Sequence, residues 1–386
     1  MKRRIIRDAM GTLSAKRILE IGNWPPPVCS WTMSLVPLRK ELETRGWDCP
    51  VMNLNENRKV RNPECIDVQS AQDYFVKVLR HTRRGYAVHV RCNAESRKGY
   101  FLALCALLLA RLWGRPALLT YGGGHAQTFF PAPKSSLRFW AFWLLFRLAQ
   151  RIYCNSEPVK KVLLTTGIPN ERVIPIPHFS TSYVEFKPQP LPPYINEFCQ
   201  RYDGVFFSYV CFRKEFELDF LAEAIRQFRR EFPRIGFIWV GPWEREMDAT
   251  RSFLRENQIE DAVCVMGSAP HDLFLTLITR SLAYIRTPMT DGVCSSVLES
   301  LSLKVPVLAS DNDTRPPGAT LYRHGDLEGL LALMRSAVQQ HETMVAELPD
   351  VKVDNNSEKL ADSIEEICLG AQSAPAANPD IPSARA

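Results

Sequence analysis

Residues 285–313 read IRTPMTDGVCSSVLESLSLKVPVLASDND, and this stretch decides the fold. Ile285 closes an apolar run. Thr287-Pro288 then opens a loop, because the residue before proline is pushed out of the helical region. Asp291-Gly292 is a turn pair, and Ser295 or Ser296 is expected to cap a helix with its hydroxyl. Val297, Leu298 and Leu301 supply that helix with an apolar face, and Glu299 and Ser302 turn elsewhere. Residues 305–310 have the pattern of a short buried strand, closed by Asp311-Asn312-Asp313. A helix start rich in small residues at a strand's end is suited to an anion. A Glu in that first turn can accept hydrogen bonds from two hydroxyls of a bound sugar. Spacing alone describes an ordinary βαβ corner with a solvated Glu equally well. Asp311 and Asp313 form a D-x-D, a pattern that can hold a divalent ion. Ser-Asp-Asn-Asp is also common turn composition, and a turn is expected there.

Outward from this stretch the same grammar repeats. A strand at 17–22 leads into the stiff loop NWPPP (23–27), and a helix over 35–45 carries Leu35, Leu38 and Leu42 on one face. Gly46 ends it, and a strand follows at 47–54. Strand, loop, helix, glycine, strand is the order of a doubly wound parallel sheet. It recurs as helix 71–82, strand 87–91, helix 99–113 and strand 117–121, which runs into Gly122, Gly123, Gly124 and His125. Residues 135–150 predict a helix that is apolar all round over 139–146, with Arg138, Arg147 and Arg151 beside it. Burial is the expectation, and a seat in a membrane interface is the alternative. Strands follow at 151–154 and 173–177. FKPQPLPP (186–193), with four prolines in eight residues, reads as a stiff linker.

The second half predicts strands at 205–210, 236–240, 262–266 and 282–285, with helices over 219–231, 247–258 and 272–279. Further helices are expected over 326–347 and 357–369. The fold class is therefore α/β, with two Rossmann-like doubly wound parallel sheets facing a central cleft. The units are expected over 1–188 and 189–345, with a helical segment at 346–370 returning toward the first unit and a disordered tail at 371–386. Ligands of such sheets bind beyond the strands' carboxyl ends.

The 386 residues are too many for one ordinary core. A 46% hydrophobic and 23% charged composition is that of a globular protein. A net charge of +6 favours phosphorylated ligands or anionic membrane surfaces and does not single out nucleic acid, so no nucleic-acid partner is expected. Eleven scattered cysteines without a C-x-x-C pair argue for a reducing compartment and against a zinc site. The basic start lacks a signal peptide's apolar core, and no apolar run reaches the roughly 20 residues of a membrane span. A cytoplasmic protein is expected, with a peripheral contact to the inner face of a membrane through 137–151.

A G-x-G-x-x-G fingerprint and a P-loop are both absent, which lowers dehydrogenase and kinase readings. Arg213-Lys214-Glu215 follows the first strand of the second half. A guanidinium and an ammonium there could neutralise a diphosphate leaving group, although a solvated charge run explains them too. His125 either contacts a reacting sugar or caps a turn, and His178 in Pro-Ile-Pro-His reads as a satisfied loop residue. Gly122 to Gly124 would let backbone approach a ligand closely, as would any tight turn.

Together these features resemble the retaining glycosyltransferases of family 4 (glycosyl transferases group 1), which have the GT-B fold. ILEIGNWPPP is similar to that family's opening strand and loop, RGWDCPVMNL to its Arg-Gly-His-x-Val strand, and RIYCNSEPVKKVLLTTGIPNERVIPIP to the segment closing its first domain. TDGVCSSVLESLSLKVPVLAS resembles its E-x7-E segment. The resemblance implies that Glu299 holds the nucleotide ribose and that Asp291 contacts the donor sugar. Gly292, Cys294, Ser295 and Ser296 would lie against sugar and diphosphate, with Gly241 nearby. Arg213, with Lys214, would neutralise the diphosphate, and His125 would be the sugar-side histidine. Gly122, Gly123 and Gly124 would form an acceptor-side loop.

No metal and no cofactor beyond the nucleotide-sugar donor is implied. The acceptor would be a glycan, a lipid-linked or a small molecule, as in cell-surface polysaccharide or glycoconjugate synthesis. The chain departs from the family in four places. Asp291 is one methylene shorter than the usual Glu, and Cys29-Ser30 stands where Gly-Gly is usual. Arg213 and Lys214 are adjacent rather than spaced, and His125 is displaced behind three glycines. A binding protein on a degenerate scaffold, or a nucleotide-sugar epimerase or hydrolase, is the alternative.

Overall fold

The structure is a computed structural model that describes residues 16–25, 30–123, 127, 129–242, 246–288, 294–313 and 315–370. In the first unit the chain runs β1 (Ile18–Gly22), α1 (Ser30–Thr44), β2 (Val51–Asn53), α2 (Ala71–Arg83), β3 (Ala87–Cys92) and α3 (Arg97–Leu112). It continues through β4 (Ala117–Tyr121), α4 (Leu137–Leu148), β5 (Arg151–Cys154), α5 (Glu157–Leu164) and β6 (Val173–Pro175). The strands pair in the order β2-β1-β3-β4-β5-β6, all parallel. A parallel sheet covered on both faces needs strands that are apolar along their length, and ILEIG, AVHVRC and ALLTY are buried throughout.

One face of this sheet packs Leu19, Ile21, Val90 and Leu119 against α2 to α5. The other packs Ile18 and Leu118 against Leu38 and Leu42 of α1. Glu20 and His89 are also buried in these strands, and they are accommodated by bonding each other. His89 Nδ1 lies 2.8 Å from Glu20 Oε1, and His89 Nε2 lies 2.7 Å from Thr120 Oγ1.

The second unit runs α6 (Pro193–Arg201), β7 (Gly204–Tyr209), α7 (Leu218–Glu231), β8 (Ile235–Val240), α8 (Met247–Glu256), β9 (Val263–Met266) and α9 (His271–Thr279). It closes with β10 (Ala283–Arg286), α10 (Ser295–Ser302), β11 (Val307–Ser310), β12 (Thr320–Tyr322), α11 (Leu327–Gln339) and α12 (His341–Ala346). Its parallel order is β12-β11-β10-β7-β8-β9. Phe206, Phe237 and Trp239 meet α7, α8 and α11 on one face. Phe207, Ile238 and Tyr284 meet α6, α9 and α10 on the other.

A last helix, α13 (Asn356–Leu369), lies against α1 of the first unit. Leu360, Ala361 and Ile364 join the cluster of Ile18 and Leu38. Trp47 Nε1 donates to Glu365 Oε1 (2.8 Å), Arg45 Nη1 to Asp362 Oδ1 (2.6 Å) and Tyr153 Oη to Ser363 Oγ (3.2 Å).

Several local expectations change. The strand expected over 47–54 narrows to Val51–Asn53, with a single bridge from Arg17 to Asp48. Helix 326–347 breaks into α11 and α12 at Gln340. The last proline of the linker, Pro193, starts α6, where a proline lacks no hydrogen bond that the first turn needs. α4 is not buried all round. Phe139, Phe142, Leu145 and Phe146 face the core, and Leu137, Trp140 and Leu144 stand in solvent. The tail at 371–386 lies outside the described residues.

Candidate functional site

Where successive crossovers of a doubly wound sheet leave in opposite directions, the loops part and leave a crevice. In the second sheet that point lies between β7 and β10, and in the first between β1 and β3. Of the residues singled out in the second unit, the described ones (Arg213, Lys214, Gly241, Cys294, Ser295, Ser296 and Glu299) lie on the segments that follow β7, β8 and β10.

Beyond β7, Val210 N donates to Val240 O (2.8 Å), and the chain turns to expose Arg213 and Lys214. Glu215 Oε1 is 4.0 Å from Arg213 Nη1, too far for a directed hydrogen bond. The field of Arg213 extends to Glu95 of the first unit. Desolvation raises the Glu95 carboxyl above the usual carboxylate range, Arg213 pulls it down and Glu215 pushes it up. Beyond β8, Gly241 has φ +122°, and a Cβ there would lie 2.4 Å from Val210 O, so only glycine fits.

At the end of β10, Arg286 is only 5% exposed. Its Nη1 donates to Tyr209 O (3.2 Å) across the crevice, and its guanidinium stands 4.9 Å from the Phe216 ring. Thr287 Oγ1 donates to Phe216 O (2.7 Å), and Ser310 Oγ donates to Thr287 O (2.8 Å). Arg315 Nε donates to Ser310 O (3.0 Å), and its Nη2 donates to Pro288 O (2.5 Å). The start of the loop that carries Asp291 and Gly292 is thus pinned to β7 and β11. Both of those residues, like Gly124 and His125, lie outside the described residues.

The expected cap of α10 is corrected. Its N-cap is Cys294, whose own side chain makes no capping hydrogen bond. Ser296 Oγ is instead 2.7 Å from Tyr284 Oη and 3.1 Å from Cys294 Sγ. The hydroxyl is drawn back toward β10, and among the described residues no side chain caps the first turn, the arrangement that suits an anionic group.

Glu299 is neither turned away nor solvated. It is 4% exposed, and its Oε1 is 2.9 Å from Nε2 of His271. Burial raises the Glu299 carboxyl above the ordinary range, and the bond to His271 opposes that shift. His271 opens α9 directly after Pro270. Its ring stacks on Phe274 at 14° and meets Tyr183 edge-on at 84°. Sequence reasoning missed His271. The available signal was a histidine after proline at a helix start, beyond Gly267 at the end of β9.

In the first unit, the glycines after β4 are tightly packed. A Cβ on Gly122 would lie 2.4 Å from the Trp31 ring, and one on Gly123 would lie 2.9 Å from Asn93 O. Their lack of a side chain serves packing here. His178 is not the satisfied loop residue expected. Its Nε2 is buried without a hydrogen-bond partner, and burial, together with Arg91 and His89, pushes it down to about 3. Asp313 N donates to Asp311 Oδ1 (3.1 Å) with Asp313 at φ 59°, which makes the D-x-D a turn. Among the described residues no group of three or more His, Cys, Asp or Glu is placed to hold a metal ion.

Two Rossmann-like parallel sheets with ligand crevices at their switch points define the GT-B fold, and comparison with solved structures agrees. The chain superposes on a protein of Anabaena (HepE) in complex with UDP-glucose with a TM-score of 0.63 at 15% identity, covering 90% of this chain and 94% of that one. It superposes on a UDP-GlcNAc 2-epimerase from Methanocaldococcus jannaschii with a TM-score of 0.56 at 15% identity, over 90% and 99% of the two chains.

Residues 202–327, most of the second unit, match the family model of glycosyl transferases group 1. Over 148 residues the chain is 26% identical to glycosyltransferase 1 domain-containing protein 1 of Xenopus tropicalis, 37% of this chain and 41% of that relative. The chain thus spans about two-fifths of the length of the curated relative it matches.

Proposed function

We propose that the chain is a retaining, metal-independent glycosyltransferase of family 4, moving a sugar from a nucleotide donor to a glycan, lipid-linked or small acceptor in glycoconjugate synthesis. One observation carries this reading: a buried carboxylate, Glu299, held by His271 beside an uncapped helix start, with Arg213 and Lys214 exposed at the neighbouring strand end. The match to the glycosyl transferases group 1 model over the same residues supports it. Glu299 accepts the ribose hydroxyls, and the first turn of α10 with Cys294, Ser295 and Ser296 lies along the diphosphate. Arg213 and Lys214 neutralise charge as the bond to the sugar breaks, and stabilisation of that kind is a large catalytic term. Asp291 contacts the sugar hydroxyls.

With the leaving diphosphate so held, one of its oxygens takes the acceptor's proton as the acceptor attacks from the same face. The acceptor hydroxyl and the donor thus yield the glycosylated product and a nucleoside diphosphate that carries the acceptor's proton. UDP is the first nucleotide to test, since the Anabaena neighbour holds UDP-glucose.

Calorimetric titration of UDP and other nucleoside diphosphates, followed by donor consumption with and without acceptors, tests the reading. Glu299→Ala is expected to abolish most nucleotide affinity, and Asp291→Ala to lower turnover more than affinity. Parent-like binding and turnover in both variants would sink the assignment. The epimerase neighbour favours a second reading, nucleotide-sugar epimerisation. An epimerised nucleotide sugar formed with no acceptor present would establish it, and donor hydrolysis alone would point to a hydrolase. Tight binding without turnover would leave a binding protein on this fold.

A further inference from the structure

Between Glu95 and Glu157 the chain carries eight Lys or Arg and not one Asp or Glu. This acid-free stretch builds α3, β4, α4 and β5. α3 and α4 lie side by side over one face of the first sheet, tied by Tyr100 Oη donating to Ala141 O (2.9 Å). Positions 98, 101, 105, 108 and 112 of α3 fall three and four apart, on one stripe of the helix. Phe101 is 63% exposed there and Leu112 76%, with Leu108 also open. Positions 137, 140, 144 and 147 form the corresponding stripe of α4, where Leu137 is 86% exposed and Trp140 and Leu144 stand open beside it. Trp113, also exposed, extends the surface under the guanidinium of Arg83, 5.4 Å from its ring.

A lone exposed leucine is ordinary, whereas large apolar side chains on two adjoining helices make an interaction surface. Cations surround it. Arg97, Lys98, Arg111, Arg138 and Arg147 form no ion pair among the described residues, and only Arg151 of the stretch is paired, to Glu366 at 3.4 Å. Charge selects the occupant. A second copy docking face to face would set these cations against their own image, with no carboxylate in the stretch to offset them. A bilayer with anionic headgroups offers acyl chains to the apolar stripe and phosphates to its rim. No helix among the described residues is long and apolar enough to cross a membrane, so the contact is one of shallow insertion.

We infer that the outer face of α3 and α4 docks on an anionic lipid surface. In a βα unit each helix starts at the carboxyl end of the strand before it. Arg97, Lys98, Phe101, Leu137 and Trp140 therefore sit at the end of the sheet where the crevice opens. Docking brings that rim to the headgroups, within reach of an acceptor anchored in the lipid. Only this last step rests on the glycosyl-transfer reading.

Co-sedimentation of the full chain with phosphatidylcholine vesicles, and with vesicles also containing phosphatidylglycerol, tests the docking. The protein is expected to pellet with the anionic vesicles, to stay in solution with the neutral ones, and to be released by salt. The triple variant Leu112→Ser, Leu137→Ser, Trp140→Ser should bind at least about tenfold more weakly, since each buried apolar group adds to interfacial affinity. In the variant Arg97→Gln, Lys98→Gln, Arg138→Gln, Arg147→Gln each lost charge should cost roughly fivefold, and the preference for anionic lipid should vanish. Circular dichroism and retained nucleotide binding verify that both variants fold. Parent protein that stays in the supernatant with anionic vesicles overturns the inference, as does pelleting undiminished in both variants. So does a dimer by light scattering that the serine variant dissolves, which would assign the face to a second copy. Vesicle binding with no sugar transfer to any acceptor would count against the catalytic reading alone.

Discussion

A carboxylate that accepts hydrogen bonds from two hydroxyls must be ionised when they bind, and Glu299 is held where ionisation is harder than in water. Its folded value is raised, so acidification neutralises it at a higher pH than it would an exposed Glu. Nucleotide affinity is therefore expected to fall as pH drops through that raised value, and Glu299→Gln should bind weakly at every pH, by isothermal titration. The sign for stability follows from the same shift. Relative to the Gln variant, the contribution of Glu299 is fully present below the unfolded-state pKa and is lost as pH rises through the folded one. Urea unfolding of both proteins across that window checks it.

Losing charged hydrogen bonds in Glu299→Ala should cost about 3 kcal/mol of nucleotide binding, on the order of a hundredfold. His271→Ala should raise the nucleotide Kd by roughly tenfold through misplacement of Glu299, with partial rescue by His271→Gln, while saturated kcat stays within about twofold. An equal loss in kcat would instead give His271 a direct part in the reaction. The eight-residue spacing of Asp291 and Glu299 was legible in the chain. The burial of Glu299 was not, because the partner that orders its carboxylate comes from a helix 28 residues away.

Elements were legible where periodicity and punctuation agreed. α7, α9 and β8 fall within a residue of their expected bounds because an apolar face or run ends at a turn. The sequence misled where a side chain had a stronger partner than the local rule assumes. Ser296 suits a cap but its hydroxyl is taken by Tyr284, and Pro193 looked like linker but opens α6. β12 escaped notice because TLY has three residues and only Tyr322 is buried. Gly241, at the end of β8, is where one methyl would be most damaging in this half. Gly241→Ala must abandon its positive φ or drive Cβ into Val210 O, at a cost of about 2 kcal/mol or more. The urea midpoint should fall accordingly, and nucleotide affinity with it, since Val210 leads into Arg213.

At the scale of the molecule, two doubly wound parallel sheets were readable because the βα grammar repeats along the chain, whereas their strand order came from the structure. The exposed outer side of α4 was not readable either, since a helix apolar all round gives no sign of which side lacks a cover. The chain passes between the units at 184–192 and returns at 347–355, so the seam at α13 belongs to the stability of the first unit. Leu360→Ala or Ile364→Ala should each destabilise that unit by about 2–4 kcal/mol, read as earlier loss of hydrogen-exchange protection in β1 and β4 than in β7 and β8. The same seam has a consequence for biosynthesis. The unit that leaves the ribosome first is completed by the helix made after the second unit, so Ile18, Leu38 and Leu118 stay uncovered while that unit is made. A nascent chain stopped before residue 356 should bind chaperones and be cleaved readily in its first unit, and one extended through residue 369 should resist. The half translated first is the half finished last.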